Sequence, residues 1–162
     1  MTPIDWAKRP LQKYAEFGGR APRAEYWWYT LGIIVVAIVL SIVESLLGLS
    51  GMVGPYGPLS ALGLLALLVP GLAVTVRRLH DTNRSGWWML VAVIPYAIVG
   101  FLMGRAAGSA DMSGLAAAGL FGIIALIGGI VLLVFMVLPG TAGDNRHGPD
   151  PYAGGTESAA TA

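Results

Sequence analysis

Four uncharged stretches, 26–43, 45–76, 85–104 and 112–143, take up most of this chain of 162 residues. A helix needs about 20 apolar residues, at ~1.5 Å each, to cross the hydrocarbon core of a bilayer. Each stretch reaches that length once the first is allowed to run past Glu44. No soluble domain of this size has enough interior to hide them, because 56% of the residues are hydrophobic and only 12% charged, against roughly a quarter charged in ordinary globular domains. The expected fold is therefore all-α: a polytopic membrane protein with a bundle of four transmembrane helices.

Local chemistry sets the expected boundaries. The Pro/Gly-rich stretch 50–58 marks a turn, which places the helices at 26–49, 59–79, 87–104 and 115–138 within a membrane domain of 26–139. The first apolar run starts only after Glu25 and exceeds a signal peptide's apolar core of about 7–15 residues, so it reads as a retained anchor. Within 1–25, Trp6, Leu11, Tyr14 and Phe17 fall near one helical face among Lys8, Arg9, Lys13 and Glu16, the pattern of a short interfacial helix. Residues 140–152 are turn formers and are expected to make an ordered flap. The tail 153–162 has too little apolar surface to fold and is expected to be disordered.

Orientation follows from the basic residues. Lys8, Arg9, Lys13, Arg20, Arg23, Arg77, Arg78, Arg84 and Arg146 fall on one side of this topology, nine of the ten Lys and Arg, with Arg105 alone opposite. By the positive-inside rule both termini and the 80–86 hairpin are expected in the cytoplasm.

The spans also carry packing signals. Ala118, Gly122, Ala125 and Gly129 recur on one face of the last helix, a small-residue stripe that lets a neighbour approach, and Gly100 and Gly104 suggest a second close contact. Pro70 and Pro95 each remove a backbone hydrogen bond inside a helix, which membrane bundles tolerate when a neighbour satisfies the freed carbonyl. Glu44 lies near the outer boundary and is expected to snorkel to that surface. Arg105 and Asp111 bracket the last outer loop.

Three polar segments share the predicted cytoplasmic side: 17–28, 77–88 and 139–151. Their candidate binding residues, for an anionic group or for one another, are Arg20, Arg23, Arg77, Arg78, His80, Asp81, Arg84, Asp144 and Asn145. Guanidinium groups at the dry edge of a membrane need acceptors, and Asp144 and Asn145 are expected to accept from Arg20, Arg23 or Arg78, with Glu25 serving Arg23 or Arg77. Asp81 is expected to pair with Arg84 across one turn, and Ser85 to cap the third span. His80 beside Asp81 superficially suggests a metal dyad, but neighbours on a helix point in different directions. Without cysteine there is no disulfide, thiolate ligand or Cys nucleophile. No catalytic residue, metal or cofactor is assigned.

These segments, Phe17-Gly-Gly-Arg20, Arg78-Leu-His-Asp-Thr-Asn-Arg-Ser-Gly-Trp-Trp88 and Pro139-Gly-Thr-Ala-Gly-Asp-Asn-Arg-His-Gly-Pro-Asp-Pro151, resemble in order and spacing the domain of unknown function 805 family. The resemblance covers about 17–151 and implies a small bacterial inner-membrane protein, with no established activity. His147 departs from the family pattern, where Tyr or Phe is more usual, so the resemblance implies no imidazole chemistry there.

The expected function is that of a non-enzymatic membrane protein whose cytoplasmic Arg/Asp/Asn cluster binds membrane lipids, anionic phospholipid first among them, or a protein partner such as a second copy or another membrane protein. A membrane enzyme acting on a phosphorylated lipid-like substrate, and a small transporter or channel protomer, are the alternatives. Nucleic acid is not an expected partner, since no basic face remains outside the spans.

Overall fold

The computed structural model describes residues 1–53, 55–106 and 112–153. Asp111 and the expected disordered tail beyond Ala153 lie outside the described residues. The described residues form five α-helices: α1 (Pro3–Gln12), α2 (Arg23–Leu46), α3 (Pro58–Asp81), α4 (Leu90–Ala106) and α5 (Met112–Val137), with a short 3-10 helix, Gly86–Met89, leading into α4. As the sequence predicts, the fold is all-α and four of its helical segments are long and apolar enough to cross a membrane.

The ends of these helices follow from local chemistry. α1 opens on a reciprocal capping box between Thr2 and Asp5, so it starts and stops earlier than the expected interfacial helix and leaves Tyr14 and Phe17 beyond its end. α2 opens earlier than expected, with the extended Pro22 at its N-cap, and ends at Leu46 rather than 49. There Gly48 turns left-handed at φ +69, while the Leu49 N–H returns to the Glu44 carbonyl at 2.8 Å and the Gly48 N–H to Ser45 at 3.3 Å, a Schellman closure. α3 ends the same way on Asn83, φ +57, with Arg84 N–H on Leu79 O at 2.9 Å. Ser85 caps the 3-10 helix by accepting from the Trp87 N–H.

α3 runs unbroken through Pro70. Pro70 has no N–H, so the Ala66 carbonyl loses its helical partner. Tyr14 supplies the missing donor, its hydroxyl lying 2.6 Å from Ala66 O, while Tyr29 donates to the adjacent Leu67 O at 3.2 Å. The N-terminal segment is thereby fastened to the kink-prone turn of α3.

Two expectations about the spans are corrected. Glu44 does not snorkel: it is 2% exposed and turns to the start of α3, where it accepts from the Ser60 N–H at 2.8 Å and the Ser60 hydroxyl at 2.5 Å. A carboxylate there meets the positive end of the helix dipole, and any Cβ on Gly57 would fall inside it. The small-residue face of α5 holds in part, but its closest approach to α4 is made one residue away from the expected set. Ala118 and Ala125 are buried, but a Cβ on Gly122, Gly100 or Gly104 would meet nothing within 4 Å, and one on Gly129 only the Tyr96 hydroxyl at 3.9 Å. Gly128 is the point of approach, where a Cβ would lie 2.5 Å from the Val91 carbonyl oxygen and 3.0 Å from its carbon. Gly128→Ala should therefore separate the hairpin at a cost of about 1–3 kcal/mol, and Gly122→Ala should be nearly silent. Thermal unfolding in mild detergent compares them, and equal melting temperatures would contradict this packing.

Candidate functional site: a buried polar clasp

Two helix C-termini meet at the polar end of the bundle, and each leaves carbonyls that its own helix cannot satisfy. The Schellman turn after α3 places Arg77, Arg78 and Asp81 inward, at 1%, 0% and 0% exposure. Because Arg77 and Arg78 are adjacent on α3, they point about 100° apart and serve different partners.

Arg78 reaches the end of α5. Its Nε donates to Met136 O at 3.3 Å, one terminal nitrogen donates to Leu138 O, and the other pairs with Asp81. Arg23 donates to the intervening Val137 O at 3.1 Å. Two guanidinium groups thus cap the negative end of α5, the sign that the helix dipole favours.

Asp81 binds a second arginine. Arg20 Nε donates to its carboxylate at 3.0 Å, and the other two Arg20 nitrogens donate to Gly143 O at 2.6 Å and Thr141 O at 2.5 Å. In return the tail caps α3: Thr141 N–H and Oγ1 donate to Asp81 O at 2.8 and 3.1 Å, and Asn145 Nδ2 donates to His80 O at 3.0 Å. The tail passes so close that a Cβ on Gly140 would sit within the Asp81 carboxylate, 2.7 Å from its carbon. The 17–22 segment joins through Ala21 N–H to Arg77 O at 3.0 Å and Gly19 O to His80 Nδ1 at 3.2 Å. The His80 and His147 rings stack with centroids 3.9 Å apart and planes 5° from parallel. On the far side of α3, Arg77 pairs with Glu25 at 3.0 Å, and Glu25 with Arg9 at 3.4 Å.

The structure therefore brings Arg20, Arg23, Arg78, His80, Asp81 and Asn145 into one network, but with partners other than those expected. Asp81 pairs with Arg20 and Arg78 rather than Arg84, which instead lies 4.1 Å over the Phe135 ring. Asp144 takes the Asp150 N–H at 2.9 Å rather than an arginine. Asn145 acts as a donor, to His80 O and to Thr141 Oγ1 at 2.7 Å, rather than as an arginine acceptor. Glu25 serves Arg77 and Arg9, not Arg23. The acceptors missed by sequence reasoning are backbone carbonyls at 136–138, 141 and 143, which leave no trace in residue type.

Around Asp81 the clasp is occupied by its own contacts, whereas Arg77 and Glu25 form a buried ion pair whose polar atoms make no hydrogen bond among the described residues. The carboxylates of the clasp are ion-paired and buried, and one face of the His80 ring is covered. Among the described residues no three His, Cys, Asp or Glu side chains gather to hold a metal. Burial, then the neighbouring His80 and the Arg146 and Arg20 charges, push the His147 imidazole below its ordinary pKa. The Tyr152 and Gly143 N–H groups hold the Asp150 carboxyl below the usual range and so brace the flap as an anion-centred turn.

Residues 14–149 match the family model described as "Protein of unknown function (DUF805)". Similar chains include the inner membrane proteins YhaI and YhaH of Escherichia coli K12. YhaI is 37% identical over 93% of this chain and 98% of its own length, and YhaH 34% identical over 91% and 97%. The uncharacterized protein YiiR of the same strain is 30% identical over 83% of this chain and 84% of its own. No solved structure matches the chain.

Proposed function

This chain belongs to the DUF805 family, and on that premise we propose that it is a non-enzymatic protein of the bacterial inner membrane whose polar face lies in the cytoplasm and holds anionic lipid. The observation that carries the reading is the division of its cations. Arg77 and Arg78 are buried and committed to carboxylates and carbonyls, so a headgroup does not reach them. Lys8, Arg23 and Arg146 are exposed, and the positive-inside reading assigns them to one side of the membrane, where the spans also begin with the exposed indoles of Trp27, Trp28 and Trp87. Cations next to an aromatic belt suit the negatively charged inner leaflet, where each contributes on the order of 1 kcal/mol.

The test measures phospholipids that co-purify in mild detergent, by mass spectrometry. The double variant Lys8→Gln/Arg146→Gln should lower the preference for phosphatidylglycerol over phosphatidylethanolamine by roughly tenfold or more. Arg78→Gln should weaken the fold yet leave that preference in place. An unchanged preference in the double variant would contradict the reading, as would turnover of a phosphorylated substrate that His80→Gln abolishes.

Orientation has its own test, since the chain has no native cysteine. A cysteine at Asn83, exposed at the turn after α3, should react with an impermeant maleimide only in inverted vesicles. Labelling from outside intact cells would reverse the proposed topology.

A further inference from the structure

We propose that the groove between α2 and α3 holds one acyl chain of an anionic phospholipid whose headgroup rests on Arg23. The inference rests on the lipid-binding reading and deepens it from general attraction to a single retained molecule. The groove has a volume of about 530 Å³ and runs from Tyr26 and Thr75 at the clasp end to Ser41 and Ser60 at the other. At ~1.5 Å per residue, Tyr26 to Ser41 is ~22 Å, more than the ~15 Å of one leaflet's hydrocarbon. A slot of this length, walled mainly by apolar side chains, suits one hydrocarbon chain.

The wall chemistry agrees. The Thr30 and Thr75 hydroxyls donate back to Tyr26 O and Gly71 O at 2.8 Å, Tyr29 donates to Leu67 O and Ser60 to Glu44, so these four polar side chains of the lining are spent on the protein itself. Charge appears at the clasp end. Arg23 stands one turn before Tyr26 on the same face of α2 and is exposed. A guanidinium has five donors, and the side-chain bond of Arg23 to Val137 O uses one of them. A cation at the membrane surface above an apolar slot of this length matches the two parts of a phospholipid.

Native mass spectrometry after exchange into detergent containing phosphatidylglycerol tests the proposal by counting lipids retained per chain. Wild type should keep one. Ala37→Trp, which fills the groove from an exposed lining position, and Arg23→Gln should each lower occupancy at least tenfold, while Ile38→Trp, 54% exposed and outside the groove, should not. Because Ala37→Trp leaves Lys8 and Arg146 unchanged, it should retain the general anionic preference, which separates failure of this proposal from failure of the broader reading. Equal occupancy in Ala37→Trp and Ile38→Trp would overturn it. So would equal retention of phosphatidylethanolamine by wild type, or a dimer that Ala37→Trp splits without changing lipid content, which would give the groove to a second copy.

Discussion

Asp81→Ala should cost about 3–5 kcal/mol of stability and release the C-terminal flap, the largest effect expected of any single substitution in this chain. The carboxylate is fully buried and is the one acid between Arg20 and Arg78. Removing it leaves two buried cations without their counter-charge, and an uncompensated buried charge is far more costly than the pair was favourable. Asp81→Asn keeps the shape and an acceptor but loses the charge, so it should fall between wild type and alanine. Thermal unfolding in mild detergent, with proteolysis of the 139–153 segment as a second readout, measures both. A melting temperature within a degree of wild type for Asp81→Ala would remove the clasp from the account.

Gly140→Val should come close to that effect from the other side of the contact. A Cβ at position 140 would meet the carbon of the Asp81 carboxyl at 2.7 Å and one of its oxygens at 2.8 Å, and the carboxylate cannot yield because two arginines fix it. Overpacking of this kind costs about 1–3 kcal/mol, and displacing the tail also breaks the Thr141 hydrogen bonds to Asp81 O. Gly143 provides the contrast. It is left-handed at φ +70 with nothing within 4 Å of its Cβ position, so Gly143→Ala carries only the backbone strain of about 1–2 kcal/mol. If the melting temperature falls further for Gly143→Ala than for Gly140→Val, close packing of the tail against Asp81 is not what position 140 requires.

The membrane architecture was legible because a bilayer imposes a one-dimensional rule. Length and charge alone mark the spans, and Ser85 and the Pro/Gly turn announce their boundaries. The association of the three polar segments could also be argued, since buried arginines demand acceptors. Which acceptors they take was hidden, because most of the side-chain hydrogen bonds of Arg20, Arg23 and Arg78 go to backbone carbonyls. Any residue type supplies a carbonyl, so Thr141 and Met136 carry no signal in their side chains. Gly140 was visible only as a helix stop, although its place against Asp81 is the tighter constraint. Rotation about a helix caused the other error: Gly128 and Gly129 lie about 100° apart on α5, and the sequence offers both to a small-residue stripe. Glu44 was misjudged because depth in the membrane says nothing about a neighbouring helix end that offers free N–H groups.

The claim that 17–22, the α3 turn and the 139–151 tail form one intramolecular clasp is tested most directly by a cysteine pair. The chain has no cysteine of its own, and the His80 and His147 rings lie 3.9 Å apart, so His80→Cys/His147→Cys leaves the arginine–carboxylate network intact and brings two thiols within reach of a short bifunctional crosslinker. In native membranes the double variant should crosslink within a single chain, rapidly and nearly completely, and the addition of Asp81→Ala should abolish the reaction. Crosslinking only between chains, or none while the protein remains folded, would contradict the clasp.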